Sequence, residues 1–139
     1  MAREVFCDTS GFFAMFDLRD PMHKSASDWM EQAKGRVRIV TTEWVMGETC
    51  TLFMARKRPH LVSVFLDFTE RSAALLSVNP DDILISSAKA FMKRRAGNGY
   101  SFVDCISFCL MKERKIRQAL TTDRHFKKAG FEALLTRPC

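Results

Sequence analysis

The feature that most constrains this chain is a rhythm. Apolar runs of about four residues alternate with longer stretches at helical spacing. Residues 4–7 (EVFC) read as a strand that stops at Asp8-Thr9-Ser10, and residues 11–18 (GFFAMFDL) begin a helix. Residues 22–33 place Met22, Ala26, Trp29, Met30 and Ala33 on one helical face before Gly35 breaks the pattern. Residues 38–41 (RIVT) form a second strand, and 43–57 a helix with Trp44, Val45, Cys50, Leu52 and Phe53 expected inward. Pro59 stops that helix, and 60–71 forms another with Leu61, Val64, Phe65 and Phe68 inward. Residues 75–78 (LLSV) are a third strand closed by Asn79-Pro80, then comes a helix over 82–95 and a Gly97-Asn98-Gly99 loop. A helix over 101–114, with Phe102, Ile106, Cys109 and Leu110 inward, leads to a fourth strand at 118–121 (QALT). A short helix at 124–128 and a fifth strand at 132–135 (EALL) complete the pattern. Strands this short, separated by helices, predict βαβ units and a parallel sheet with helices on both faces.

Only six Gly and four Pro punctuate 139 residues, with no linker, so one domain over residues 1–139 is expected. A chain of this length buries enough surface to fold without disulfides or a structural metal. Its apolar fraction of 47% excludes disorder as a whole-chain state. The five cysteines (7, 50, 105, 109 and 139) include no C-x-x-C pair. Cys105 and Cys109 share a helical face, but no His pair completes a zinc site. Free thiols, no signal-peptide pattern and no 18-residue apolar run make a soluble, cytoplasmic protein with no membrane partner the expectation.

Open parallel sheets place their sites beyond the carboxyl ends of the strands. Two acids stand there: Asp8 after the first strand and Asp123 after the fourth. Asp104 lies in the first turn of a helix, and Glu48 one to two turns into the helix after the second strand. Each also has a local use. Asp8 and Asp123 suit helix N-caps, Ser101 and Asp104 fit a capping box, and Glu48 suits a solvated helix face. Together they can converge on one crevice, where carboxylates repel one another unless a cation lies between them. Hard oxygen donors suit Mg²⁺ or Mn²⁺, which promote phosphodiester hydrolysis without a nucleophilic Ser or Cys. The sequence contains no G-x-S-x-G, P-loop, G-x-G-x-x-G or H-E-x-x-H, and Ser10 stands where an aspartyl phosphatase needs its second acid.

Four stretches carry a resemblance over nearly the whole chain. They are F-C-D-T-S-G-F-F-A (6–14), T-T-E-W-V-M-G-E-T-C-T-L (41–52), Y-S-F-V-D-C-I-S-F (100–108) and A-L-T-T-D-R-H-F-K-K-A-G-F (119–131). In order and spacing the chain resembles a PIN domain, the ribonuclease fold of VapBC-type toxins. The resemblance implies an α/β fold, a three-layer α/β/α arrangement around a central parallel sheet of four to five short strands. It implies Asp8, Glu48, Asp104 and Asp123 as catalytic acids and ligands of Mg²⁺ or Mn²⁺, with Glu43 competing with Glu48. It also implies an RNA substrate, homodimers and an antitoxin partner. Thr9 and Thr122, beside two of the acids, can hold water or metal through their hydroxyls.

Twenty-two Lys and Arg against sixteen Asp and Glu give a charge of +6, which suits a polyanionic partner. Lys93, Arg94 and Arg95, upstream of Asp104, and Arg124 with His125, beside Asp123, are the candidate RNA-phosphate contacts. Arg56-Lys57-Arg58 is a second basic cluster, and Tyr100 can stack on a base. Phe12, Phe13, Met15, Phe16, Trp29, Met30, Phe53 and Met54 offer apolar area for a second subunit or an antitoxin peptide. Two rival functions remain: a non-catalytic RNA-binding or RNA-processing module, and a receiver-like phosphoacceptor, which the Asn79-Pro80 turn fits poorly.

Overall fold

A computed structural model describes residues 2–135. The first strand, β1 (Arg3–Cys7), ends in Val5, Phe6 and Cys7, all fully buried. A strand apolar on both faces belongs in the middle of a covered parallel sheet, and β1 lies there. It pairs in parallel with β2 (Val37–Thr42) on one side and β4 (Gln118–Leu120) on the other. The strands β3 (Leu75–Val78) and β5 (Glu132–Ala133) extend the sheet to the order β3-β2-β1-β4-β5.

Helices α1 (Thr9–Phe16) and α2 (His23–Ala33) connect β1 to β2, and α3 (Glu43–Ala55) and α4 (His60–Arg71) connect β2 to β3. The remaining connections are α5 (Asp82–Arg94) with α6 (Phe102–Arg114), and α7 (Arg124–Lys128). Right-handed crossovers put α1–α4 on one face and α5–α7 on the other. The packing of α1 on α2 and α3, and of α5 on α6, follows that division. The result is the expected three-layer α/β/α fold with five parallel strands. Strand order reverses direction at β1, so the crevice beyond the ends of β1 and β4 is the switch point where such sheets place a site.

The core is aromatic. Phe12, Phe13, Phe16, Phe53 and Phe65 pack among α1, α3 and α4, and Phe108 joins Phe91, Phe126 and Phe131 on the other face. Phe12, Phe13 and Phe53 therefore belong to this interior rather than to an apolar surface for a partner. Gly11 permits a close approach here. A Cβ on it would lie 2.0 Å from the Leu120 carbonyl oxygen and 2.8 Å from Cys7 Sγ.

Two side chains expected inward are exposed. Trp44 lies in the first turn of α3, where it meets the edge of Phe102 instead of the sheet, and Val64 falls on the outer side of α4. Cys7 and Cys105 are buried, burial raises both thiols above their ordinary range, and Cys7, Cys50, Cys105 and Cys109 are free. Cys139 lies outside the described residues. Among those residues, no helix is long and apolar enough to cross a membrane.

Candidate active site

Asp8 leaves β1 and caps α1: its Oδ1 accepts from the Gly11 N–H at 2.9 Å and from Ser10 Oγ at 2.8 Å. Its Oδ2 accepts from the Thr121 hydroxyl at 2.8 Å, which ties the end of β1 to the end of β4. Thr121 Oγ1 also accepts the Asp123 N–H at 2.9 Å, and Ser10 Oγ accepts the Thr122 N–H at 2.9 Å. Burial pushes the Asp8 carboxyl up to about 7, against the pull of these hydrogen bonds and with the charge of Asp123 adding to the rise. A cation in the crevice reverses that tendency.

Glu48 reaches the same crevice from α3 and accepts from Thr9 Oγ1 at 2.5 Å. Thr9 is fixed in turn by buried Thr49, whose hydroxyl lies 3.3 Å away and also donates to the Val45 carbonyl. Glu43 is exposed in the first turn of α3 and does not line the crevice. Asp104 enters from α6, in a capping box with Ser101. Asp123 caps α7 by accepting the His125 N–H at 2.9 Å. The His125 ring links these two acids, with Nδ1 2.9 Å from Asp104 Oδ2 and 3.6 Å from Asp123 Oδ1. Tyr100 packs its ring against the same imidazole at 5.3 Å. Tyr100 is buried against Phe91 and Phe108, so it serves the core rather than a base stack.

Asp8, Glu48, Asp104 and Asp123 all line one cleft of about 260 Å³, together with Asp20 and Arg56. Donor atoms of Asp104, Asp123 and His125 lie within 4.8 Å of one another, a separation one ion can span. Carboxylates supply hard oxygen donors, so these residues fit a divalent cation of the Mg²⁺ or Mn²⁺ kind. Lys93, Arg94, Arg95 and Arg124 are exposed and do not line the cleft. The Arg94 guanidinium lies over the Phe91 ring at 5.8 Å.

Sequence reasoning missed Ser10, Thr121 and Asp20, and it placed Arg56 in a basic cluster without bringing it to the cleft. The first two stand in D-T-S and T-T-D, where hydroxyls crowd the acids. Arg56 was visible in the 45, 48, 52, 56 spacing of α3, which puts Val45, Glu48, Leu52 and Arg56 on one face.

Known proteins with this architecture match most of the chain. The PIN domain profile matches residues 5–132. The 23S rRNA-specific endonuclease VapC20 of Mycobacterium tuberculosis is 31% identical over 127 residues, covering 91% of this chain and 95% of the relative. A VapC ribonuclease of Archaeoglobus fulgidus is 27% identical over 113 residues, covering 79% and 71%. The crystal structure of Mycobacterium tuberculosis VapC20, described as a sarcin–ricin loop cleaving toxin, superposes with a TM-score of 0.82 at 30% identity. That superposition covers 96% of this chain and 99% of the other. Fold, cleft and likeness agree: the chain belongs to the PIN domain family, with the VapC-type ribonucleases.

Proposed function

We propose that this PIN chain is a divalent-metal-dependent endoribonuclease that hydrolyses RNA phosphodiester bonds as the toxin of a toxin–antitoxin pair, acting in the cytoplasm. The convergence of Asp8, Glu48, Asp104 and Asp123 on one cleft carries this reading. These four would hold Mg²⁺ or Mn²⁺. Such an ion supplies Lewis acidity toward a phosphate oxygen and makes a bound water more acidic.

The chain's own residues prepare the site. Thr121 and Ser10 hold both oxygens of Asp8, so its carboxylate is oriented before any ligand arrives. Thr9 fixes Glu48, and His125 with Ser101 fixes Asp104. Preorganised donors of this kind contribute to catalysis because they need no rearrangement during reaction. The VapC20 likeness supports a structured ribosomal RNA as the target, and homodimerisation and antitoxin binding fit the family.

The test is cleavage of ribosomal RNA and of single-stranded RNA in Mn²⁺, Mg²⁺ or EDTA, beside Asp8→Asn and Asp104→Asn. Metal-dependent cleavage that either substitution lowers by at least about a hundredfold is expected. RNA bound but left intact by the wild-type chain would make it a binding module instead, and cleavage indifferent to EDTA would remove the metal from the reading.

A further inference from the structure

Among the described residues the cleft carries five carboxylates (Asp8, Asp20, Glu48, Asp104 and Asp123), yet only one basic side chain lines it, that of Arg56. A cation among so many acids would ordinarily pair with one of them. Among the described residues, the Arg56 guanidinium makes no ion pair or side-chain hydrogen bond. Its neighbour Arg58 instead pairs with Asp17 at 3.6 Å. The Arg56 guanidinium rests on the Phe13 ring, 4.9 Å from its centroid. Phe13 is buried and packed on Phe53 at 4.4 Å, so the support is rigid. A guanidinium held by its face keeps its N–H edge free, and that edge matches the paired oxygens of a phosphate.

Position along α3 decides which phosphate. Arg56, the C-cap of α3, stands two helical turns beyond Glu48, about 12 Å along the axis. Among the described residues the Arg56 side chain pairs with none of the carboxylates that would hold metal, and its place farther along the cleft suits a phosphate beyond the one between them. We propose that Arg56 is the phosphate anchor of the cleft, holding an RNA phosphate neighbouring the one that is cut. The proposal rests on the ribonuclease reading above and assigns the strand a direction along α3, from the acids toward the helix C-terminus.

The test compares Arg56→Gln with Lys57→Gln, which removes one charge from the adjacent exposed residue outside the cleft, and with Arg56→Lys. Cleavage of a ribosomal RNA fragment is followed with saturating Mn²⁺ over a range of salt. Binding of the same fragment is measured by fluorescence anisotropy in EDTA. Arg56→Gln is expected to raise KM about tenfold with kcat within about threefold of wild type. It should also lower the slope of log affinity against log salt by about one. Arg56→Lys keeps the slope but recovers only part of the KM, because it lacks the fork. Lys57→Gln changes either quantity by less than about twofold.

Equal effects from the two glutamine variants would reduce Arg56 to general surface charge and overturn the assignment. A fall in kcat with KM and slope unchanged would overturn it too, since it would put Arg56 at the reacting group. If the wild-type chain does not cleave but its binding shows the Arg56-specific slope, the ribonuclease reading falls and the anchor stands.

Discussion

Asp104 shows how much one side chain is asked to do. Its Oδ2 accepts both the Ser101 N–H at 3.2 Å and His125 Nδ1 at 2.9 Å, which leaves Oδ1 for a ligand. Ser101 belongs to the helix start, whereas His125 belongs to α7, so only the second bond spans the two halves of the site. Groups that orient metal ligands commonly change metal affinity by 10- to 100-fold when removed. His125→Ala is therefore expected to weaken Mn²⁺ binding roughly tenfold in calorimetry while shifting the melting temperature little. Unchanged Mn²⁺ affinity would confine His125 to packing on Tyr100. The four acids were legible in the sequence because each stands at a strand end or in the first turns of a helix, where side chains face the crevice. The bonds that orient them were not legible. Thr121 and Thr122 are neighbours of equal chemistry, and only the exit angle of β4 decides that Thr121 meets Asp8. Asp20 was hidden by lying in a loop with no period to mark it.

At the scale of elements, the same carboxylates that face the cleft also start the helices. Asp8 caps α1, Asp104 completes the box on α6, and Asp123 caps α7. Local capping and site building are thus compatible readings of one residue, which is why neither excluded the other from sequence. Asp81 provides the contrast: it caps α5 through the Leu84 N–H at 2.8 Å and lines no part of the cleft. Asp81→Ala should cost about 1 kcal/mol in urea unfolding and leave RNA cleavage unchanged. A loss of cleavage with that variant would mean that α5 transmits its position to Asp104 through the loop before α6. Helix and strand order was readable because β-runs of four apolar residues and Pro or Gly stops are strong local signals. Facing was less readable. Trp44 satisfies the apolar spacing of α3, yet the first turn of that helix overhangs the sheet end, so its ring finds Phe102 rather than the core.

Across the molecule, charge is sorted by the ends of the sheet. Five of the sixteen acids line the cleft with Arg56, so among the described residues the other surfaces carry eleven acids against twenty Lys and Arg. At the opposite end of β1, Glu4 stands between two of those cations. It accepts from Arg114 Nε and Nη2 at 3.0 and 2.8 Å and from Arg38 Nε at 3.2 Å, joining β1, β2 and the end of α6. The Arg114 hydrogen bonds, with Arg38 adding to them, hold the Glu4 carboxyl down at about 2, against an ordinary 4.5 and despite partial burial. Because the folded value lies below the unfolded one, the unfolded chain takes up the proton first as pH falls. The stabilisation is complete above pH 4.5 and is lost progressively toward pH 2. Solvent reaches this network, so its worth is discounted to about 1–2 kcal/mol. Glu4→Gln should be less stable than wild type by that amount in urea at pH 7, and the gap should narrow steadily from pH 4.5 to pH 3. A gap that stays constant with pH would assign the loss to packing and sever the link between this charge cluster and acid unfolding.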